Sequence, residues 1–159
     1  ERFSNIDLHP DRISNHDMGY VFEELIRKFN EQMNENPGEH FTPREIIRLM
    51  VDLMLVTEDE ELAKENIIKS IFDPCCGTGG MLTIAKDRIL EKNESADIHL
   101  FGQELNQKTY AVTKSDMLML NPDGVDASRI RQGSSLSGDA FPNERFHYMK
   151  ESLIKSWET

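Results

Sequence analysis

The sequence predicts an α/β fold built on a parallel sheet, and three observations in its second half carry this prediction. A β-favouring run, Ile67-Ile68-Lys69-Ser70-Ile71-Phe72, leads directly into a glycine-rich turn over residues 73–80. A helical pattern follows the turn, and a second β-favouring run over residues 98–102 comes next. A second helical pattern over residues 108–120 completes the series. Strand, turn, helix, strand and helix in this order begin a parallel sheet, because parallel strands need a long crossover between them.

Length and composition indicate one globular domain. The chain has 159 residues, of which 38% are hydrophobic and 30% charged, and this is ordinary for a soluble protein with a single core. No apolar run approaches the length of a membrane span, and the first residues do not resemble a signal peptide, so no membrane partner is expected. The two cysteines, Cys75 and Cys76, are adjacent and do not suit a structural disulfide. A cytoplasmic protein without a zinc site is therefore predicted.

The formal charge of −11 argues against strong nucleic-acid binding by this segment alone, since affinity for phosphates comes from clustered Lys and Arg. Residues 1–72 hold 8 basic and 16 acidic residues, and residues 73–159 hold 10 and 13. If the protein acts on DNA, we expect much of the grip to come from another part of the protein or from a partner subunit. A merely solubilising acidic surface is the alternative.

An amphipathic helix is predicted over residues 17–33, with Ser14 or Asp17 as its N-cap. Its apolar residues recur at three- and four-residue spacing: Met18, Val21, Phe22, Leu25, Ile26, Phe29 and Met33. The run Asn36-Pro37-Gly38 then breaks the chain.

A second helix has a well-marked start. Thr42 is a natural N-cap, Pro43 suits the first helical position, and Glu45 completes a capping box. We expect the apolar face of this helix to consist of Ile46, Leu49, Met50 and Leu53. An acidic connection with some helical character follows over residues 57–65.

The two helices after the strands are placed by the same periodicity. The first uses Met81, Leu82, Ile84, Ala85, Ile89 and Leu90. The second is predicted from Lys108 to Leu120 and is stopped by Asn121-Pro122-Asp123-Gly124. Its candidates for burial are Tyr110, Val112, Met117 and Leu120.

The turn over residues 73–80 is the most informative stretch for function. Three glycines in four positions between a strand and a helix let the backbone pass close to a ligand and point free N–H groups at it. Glu104 ends the next strand, 24 residues after Gly80, where an acidic residue in a nucleotide-binding βαβ unit accepts hydrogen bonds from ribose hydroxyls. A triphosphate would be repelled there, and no Gly-Lys-Ser/Thr ending is present. A nucleoside-type cofactor is therefore predicted, with NAD and S-adenosylmethionine (SAM) both open and a purely structural turn as the alternative.

The turn also carries a family resemblance. Asp73-Pro74-Cys75-Cys76-Gly77-Thr78-Gly79-Gly80-Met81-Leu82 resembles the first SAM-binding motif of the modification (methyltransferase) subunit of type I restriction–modification systems. The same resemblance covers Gly38-Glu39-His40-Phe41-Thr42-Pro43-Arg44, Gly19-Tyr20-Val21-Phe22-Glu23 and Gly102-Gln103-Glu104-Leu105-Asn106. These blocks stand in the family's order, from about Ile6 to Met149, which makes the resemblance specific.

The resemblance implies a Rossmann-like class I SAM-dependent methyltransferase fold, seen in part and preceded by a short helical segment. It implies that the residues from Glu39 to Arg44 line the methionine end of SAM: Glu39, His40, Phe41, Thr42, Pro43 and Arg44. It further implies that Asp73 faces the amino group and sulfonium side, that Thr78, Gly79 and Gly80 make backbone contacts, and that Glu104 holds the ribose. Cys75 and Cys76 are expected to be small residues that occupy the turn, without a catalytic role.

A third landmark departs from the family. Ile130-Arg131-Gln132-Gly133-Ser134-Ser135-Leu136 resembles the strand and turn that pass the adenine ring of SAM. The family commonly has Asp after the Gly, whereas this chain has Ser134. Asp139 is the alternative contact to the adenine ring. It is equally interpreted as an ordinary exposed loop residue.

The largest departure follows Phe146-His147-Tyr148-Met149. In the family a similar segment leads into Asn-Pro-Pro-Phe/Tyr, the loop that holds the flipped-out adenine, and no such motif occurs in these 159 residues. The expectation is a truncated or omitted loop, with a degenerate copy as the alternative. On this interpretation residues 1–38 form a helical lead-in, 39–149 an incomplete methyltransferase core and 150–159 a tail.

The function implied is transfer of a methyl group from SAM to adenine N6 in DNA, within a complex that includes a specificity subunit and a restriction subunit. The chain alone is expected to be inactive, with no catalytic residue of its own. A stand-alone or fused adenine-N6 methyltransferase of a related defence system is one alternative. A non-catalytic module that binds SAM or a partner is another, and an NAD-dependent enzyme is a third.

Overall fold

The computed structural model describes residues 44–149 and ten earlier residues, namely 9, 12, 13, 17, 18, 21, 24, 25, 28 and 42. The six described residues between 17 and 28 are all helical, in agreement with the helix predicted there. The rest of that lead-in, and the tail predicted over residues 150–159, lie outside the described residues.

Four parallel strands form the sheet. They are β1 (Ile68–Asp73), β2 (Asp97–Glu104), β3 (Ile130–Gln132) and β4 (Tyr148–Met149), in the order β3-β2-β1-β4. The parallel sheet predicted from the two β-favouring runs is therefore confirmed, and β3 and β4 extend it on either side. The chain runs outward from β1 to β3 and then returns to place β4 on the other side of β1. Because ligands of open α/β sheets bind at the carboxyl ends of strands where the order reverses, the end of β1 is the expected crevice.

Helices make the crossovers between the strands. The helix α1 (Arg44–Leu55) and the short α2 (Asp59–Leu62) precede the sheet, α3 (Gly80–Lys92) joins β1 to β2, and α4 (Gln107–Leu120) with α5 (Val125–Ser128) joins β2 to β3. The helix α4 begins one residue earlier than predicted because the Asn106 side chain caps it, accepting hydrogen bonds from the backbone N–H groups of Lys108 and Thr109 at 2.9 and 3.3 Å. Within the described ranges no helix has the length and apolarity to cross a membrane.

The apolar face predicted for α1 is wrong. Leu49 and Leu53 are 59% and 64% exposed, and Ile46 and Met50 are exposed as well. The buried positions form a second apolar stripe, consisting of Ile47, Val51 and Leu55, and α1 packs on α3. Both stripes have helical spacing, so periodicity alone cannot choose between them; packing against α3 does.

The buried side of α4 is also smaller than predicted. Met117 is buried at 1% exposure, but Tyr110, Val112 and Leu120 are only half-buried. The second fully buried residue of α4 is Thr113, at 0%. A polar residue occupies this position because its hydroxyl bonds to the carbonyl of Gly77 and to that of Thr109. A threonine whose hydroxyl is hydrogen-bonded can be buried, and hydrophobic periodicity does not predict this burial.

Each face of the sheet is packed differently. Ile71, Ile98, Leu100 and Ile130 join the helices in the main core, whose other members include Leu82, Ala85, Ile89 and Met117. Successive strand residues point to opposite faces, so Phe72 and Phe101 lie on the other side. There they pack against the segment between β3 and β4: the ring of Phe146 lies 4.6 Å from that of Phe72, and the ring of Phe141 lies 5.3 Å from that of Phe101. This segment, residues 133–147, is thereby held across the carboxyl half of the sheet.

Candidate functional site

The glycine turn adopts a backbone that needs glycine. Gly77 and Gly79 have φ values of +54° and +83°, in the left-handed region that side chains disfavour. A Cβ atom at Gly79 would also lie 2.9 Å from Cε of Met117 and 3.0 Å from Cγ2 of Thr113. The turn is therefore pressed directly onto α4, and the Thr113 hydroxyl fixes it further by donating to the carbonyl oxygen of Gly77.

The carboxylate of Glu104 meets this turn. Its Oε2 accepts a hydrogen bond from the backbone N–H of Gly77 at 2.9 Å, and its Oε1 accepts one from the N–H of Asn106 at 2.7 Å. The two elements that the sequence predicts to form one pocket are thus in direct contact at the tips of neighbouring strands. Each carboxylate oxygen has a second lone pair, so hydroxyl groups of a ligand could still be bound.

Open space borders this contact. Apart from Gly77 and its two chain neighbours, no atom of the described residues would lie within 4 Å of a Cβ atom built on Gly77. A ligand can therefore approach the backbone at the point where the Glu104 carboxylate is held. The combination of a bare backbone, a fixed carboxylate and free space fits the sugar of a nucleoside.

Asp73, the last residue of β1, shapes the start of the turn. It is 1% exposed, and its Oδ1 accepts from the N–H of Cys75 at 3.0 Å. This bond bends the chain directly after the strand, as Asp side chains commonly do in turns. Its predicted contact with the amino group of a cofactor stays a prediction.

The two cysteines differ in environment. Cys76 is buried, and its Sγ would lie 2.9 Å from a Cβ atom at Gly102, so the thiol occupies the space that this glycine leaves on β2. Burial is the main cause that raises the pKa of Cys76, and the carboxylate of Asp73 adds to it. Cys75 is exposed.

The other predicted site residues lie around the same turn, as far as they are described. Thr78 is half-buried within the turn, and Gly80 is the first residue of α3. A Cβ atom at Gly80 would lie 3.4 Å from Cδ1 of Ile47, which places the first turn of α1 beside the start of α3. Arg44 begins α1 and is half-buried, and Thr42 is exposed. Four predicted residues lie outside the described part of the chain: Glu39, His40, Phe41 and Pro43.

A third loop, residues 133–141, closes the site from the side of β3. The N–H of Gly133 donates to the backbone carbonyl of Glu104 at 2.9 Å, and the hydroxyl of Ser135 donates to the carbonyl of Pro74. Asp139 is exposed, and its Oδ1 accepts from the N–H of Phe141 at 2.8 Å. One carboxylate oxygen of Asp139, the alternative residue for contact with adenine, is therefore hydrogen-bonded within its own turn. Ser134 is half-buried, and its carbonyl accepts from the N–H groups of two later residues of the loop.

Two residues near the site were not predicted from the sequence to have a role there. Gln103 is 2% exposed and bonds to the third loop through its side chain, and its only signal is its place beside Glu104 in the Gly102-Gln103-Glu104 block. Asp116 on α4 has an enclosed Oδ1 that finds no hydrogen-bond partner among the described residues. Burial raises the pKa of Asp116 to about 6, while the nearby Arg44 opposes this rise. No sequence pattern predicts the burial of Asp116, because a single polar residue on α4 is ordinarily expected to face solvent.

A separate groove of about 600 Å³ lies on the outer side of α3. Its lining is mainly charged and includes Arg88, whose guanidinium pairs with Asp52 on α1 at 2.8 Å and with Glu91 at 2.6 Å. None of its lining residues belongs to the glycine turn or to the strand tips. The candidate site at the turn is therefore distinct from this groove.

Comparison with known proteins identifies the family of the chain. The sequence model of the family described as N-6 DNA Methylase matches residues 13–151. The MjaIX type I restriction enzyme methylase subunit of Methanocaldococcus jannaschii is 28% identical over 151 residues, which cover 93% of this chain and 24% of that protein. The EcoEI type I restriction enzyme methylase subunit of Escherichia coli is 31% identical over 130 residues, which cover 77% of this chain and 24% of that protein. This chain thus spans about a quarter of the length of these relatives.

The fold is likewise that of known methyltransferases. A Listeria monocytogenes protein assigned to the class I S-adenosylmethionine-dependent methyltransferases superposes with a TM-score of 0.58 at 20% identity, covering 87% of this chain and 39% of that one. The predicted Rossmann-like class I fold, present in part, is therefore confirmed. Because the family model matches most of its length, this chain belongs to the N-6 DNA methylase family.

Proposed function

We propose that this chain is the SAM-binding part of the modification subunit of a type I restriction–modification system. The whole protein would transfer a methyl group from SAM to adenine N6 in DNA. The observation that supports cofactor binding best is the contact between Glu104 Oε2 and the N–H of Gly77, which joins the ribose-type carboxylate to the glycine turn. Family membership supports the reaction.

The residues of this site suit a nucleoside with a cationic amino-acid extension. The Glu104 carboxylate would accept hydrogen bonds from the ribose hydroxyls, and its charge would repel a 2′-phosphate or a triphosphate. Gly77 and Gly79 would let the ligand lie against the backbone. When bound, SAM supplies a methyl group activated by a sulfonium centre.

The methionine end is assigned to the start of α1 and to Asp73. The first turn of a helix presents free N–H groups and positive potential, which attract a carboxylate. Thr42 and Arg44 lie at that start, and Ile47 holds it beside Gly80. Asp73, at the end of β1, offers negative charge for the amino group.

DNA and the specificity and restriction subunits are proposed as partners of the whole protein. Both relatives named above are methylase subunits of type I restriction enzymes. With a net charge of −11, this chain has little of the positive charge that phosphate binding requires. The grip on DNA is therefore assigned to other parts of the complex.

Calorimetric titration of the 159-residue chain with SAM tests the proposal. Glu104→Ala should weaken binding at least tenfold, because it removes the acceptor for the ribose and releases the N–H of Gly77. Asp97→Ala is the matched control: Asp97 is an exposed acid at the opposite end of the same strand, and it should leave affinity unchanged. Equal affinity of the Glu104 variant and the unaltered chain, or binding of NAD in preference to SAM, would refute the proposed site.

The assignment of methyl transfer to the whole protein has its own test. No Asn-Pro-Pro motif occurs in these 159 residues, so incubation with methyl-labelled SAM and adenine-containing DNA should give no incorporation above background. Sustained labelling of DNA by this chain alone would show that other residues hold the adenine.

A further inference from the structure

The side chain of Gln103 makes two hydrogen bonds to one short stretch of the third loop. Its Nε2 donates to the carbonyl oxygen of Gly138 at 2.8 Å, and its Oε1 accepts from the backbone N–H of Ala140 at 3.1 Å. The residue is 2% exposed, so both bonds are made away from water. A side-chain amide that offers one donor and one acceptor in this way matches both polar groups of a backbone segment.

The backbone of the same residue supports the glycine turn. The carbonyl oxygen of Gln103 accepts a hydrogen bond from the N–H of Cys76 at 3.0 Å. The next residue, Glu104, binds the N–H of Gly77 through its side chain and the N–H of Gly133 through its carbonyl. The end of β2 therefore connects the glycine turn with the third loop.

The third loop has few other anchors near its tip. Residues 136–139 are all exposed, and a Cβ atom at Gly138 would have no described atom within 4 Å other than those of its own residue and its chain neighbours. Among the described residues, the other hydrogen bonds from this loop to the rest of the chain are made at its beginning, by Gly133 and Ser135, and at its end, where the carbonyl of Phe141 accepts from the N–H of Glu144. Phe141, directly after this stretch, is buried at 8% exposure against Phe72 and Phe101. Between Ser135 and Phe141, the polar groups of residues 138–140 are held by the Gln103 amide.

We infer that Gln103 is a positioning residue that holds residues 138–140 against the nucleoside end of the cofactor site. This inference rests on the proposed function for its consequence, because the third loop begins at Gly133, whose N–H donates to the backbone carbonyl of Glu104, the residue proposed to bind the sugar. The side chain does not touch the cofactor itself. It acts by fixing the backbone of the loop, whose order determines how well an adenosine moiety is bound.

Hydrogen exchange measured at the Ala140 amide tests, without any ligand, whether Gln103 holds this loop. Gln103→Leu should speed exchange of this amide roughly tenfold or more, because its buried acceptor is gone. Ile98→Val is the control: Ile98 is buried in the same strand at 4% exposure but contacts the main core, so Ala140 should stay protected. Unchanged exchange at Ala140 in Gln103→Leu would overturn the inference.

Gln103→Glu provides a variant that can be switched by pH. A protonated carboxyl has one O–H donor and an acceptor oxygen and can form both bonds, whereas an ionised one cannot donate to the carbonyl of Gly138. Protection of Ala140 in this variant should therefore be close to that of the unaltered chain at low pH and fall as pH rises. A purely structural loss of packing would reduce protection equally at all pH values, and that result would also overturn the inference.

Ligand titrations then test the consequence. In Gln103→Leu, affinity for S-adenosylhomocysteine and for 5′-methylthioadenosine should fall by the same factor, roughly tenfold, because both share the adenosine part and only the former has the amino-acid part. Faster exchange at the Ala140 amide together with unchanged affinity for both ligands would overturn the positioning role of Gln103. If the unaltered chain binds neither ligand, the proposed function fails for this chain. The exchange measurements then still show whether Gln103 fixes residues 138–140.

Discussion

Replacing Asp116 with asparagine should stabilise the protein, by an amount that depends on pH. Asp116 lies on α4, and its Oδ1 is enclosed and has no hydrogen-bond partner within the described part of the chain. Burial raises the pKa of this carboxyl from 3.8 to about 6, and Arg44 only partly offsets the effect. Asparagine has the same shape but never carries the charge that burial penalises.

The sign and size of the effect follow from linkage between proton binding and folding. Between pH 3.8 and about 6 the folded chain holds the proton more tightly than the unfolded chain, so the free energy of unfolding falls as pH rises through this window. Above it the cost is complete and amounts to about 3 kcal/mol, at 1.36 kcal/mol for each pH unit of displacement. Below it both states are protonated, and the aspartate costs nothing.

Urea denaturation followed by circular dichroism between pH 4.5 and pH 8 measures this difference. Asp116→Asn should gain stability over the unaltered chain up to about pH 6 and keep a constant gain above that value. Glu65→Gln, which removes the same charge from an exposed turn, should show no such rise. A gain that is equal at pH 4.5 and pH 8, or a loss of stability at pH 8, would refute the reasoning.

Three other predictions concern packing and reactivity. Gly79→Ala should lower the free energy of unfolding by about 1–3 kcal/mol, since φ is +83° and the new methyl group meets α4; urea denaturation tests this, and an unchanged midpoint would contradict it. Ile47→Ala should cost about 2–4 kcal/mol, whereas Leu49→Ala should cost less than about 0.5 kcal/mol because Leu49 is largely exposed; equal costs would mean that the other face of α1 is buried. Iodoacetamide should label the exposed Cys75 of the folded chain and leave the buried Cys76 unmodified until urea is added, as peptide mass spectrometry would show; rapid labelling of Cys76 would contradict its burial and raised pKa.

The central elements of the site were predictable because their signals are local. Glycines between a strand and a helix restrict the backbone wherever they occur, and Glu104 follows the next strand at a spacing that the crossover helix determines. Since parallel strands end at the same edge, the two had to come close together. Their contact in the structure, through the N–H of Gly77, follows from this geometry. The third loop was predicted less well, because its departure at Ser134 leaves the adenine contact without a clear residue.

Taken by itself, the sequence determined the succession of β1, α3, β2 and α4 along the chain, the glycine turn and the acidic residue that faces it. Only the tertiary structure decided which stripe of α1 is buried, since Ile47 and Leu49 belong to stripes of equal helical spacing and the choice depends on contact with α3. The tertiary structure likewise revealed the roles of Gln103 and Asp116. Whether a polar side chain finds a partner depends on atoms that are distant in the sequence: Gln103 finds its partners 35 and 37 residues away, and the Oδ1 of Asp116 finds none in the ranges that the structure describes. Periodicity records which residues avoid water, but it holds no information on which polar atoms meet.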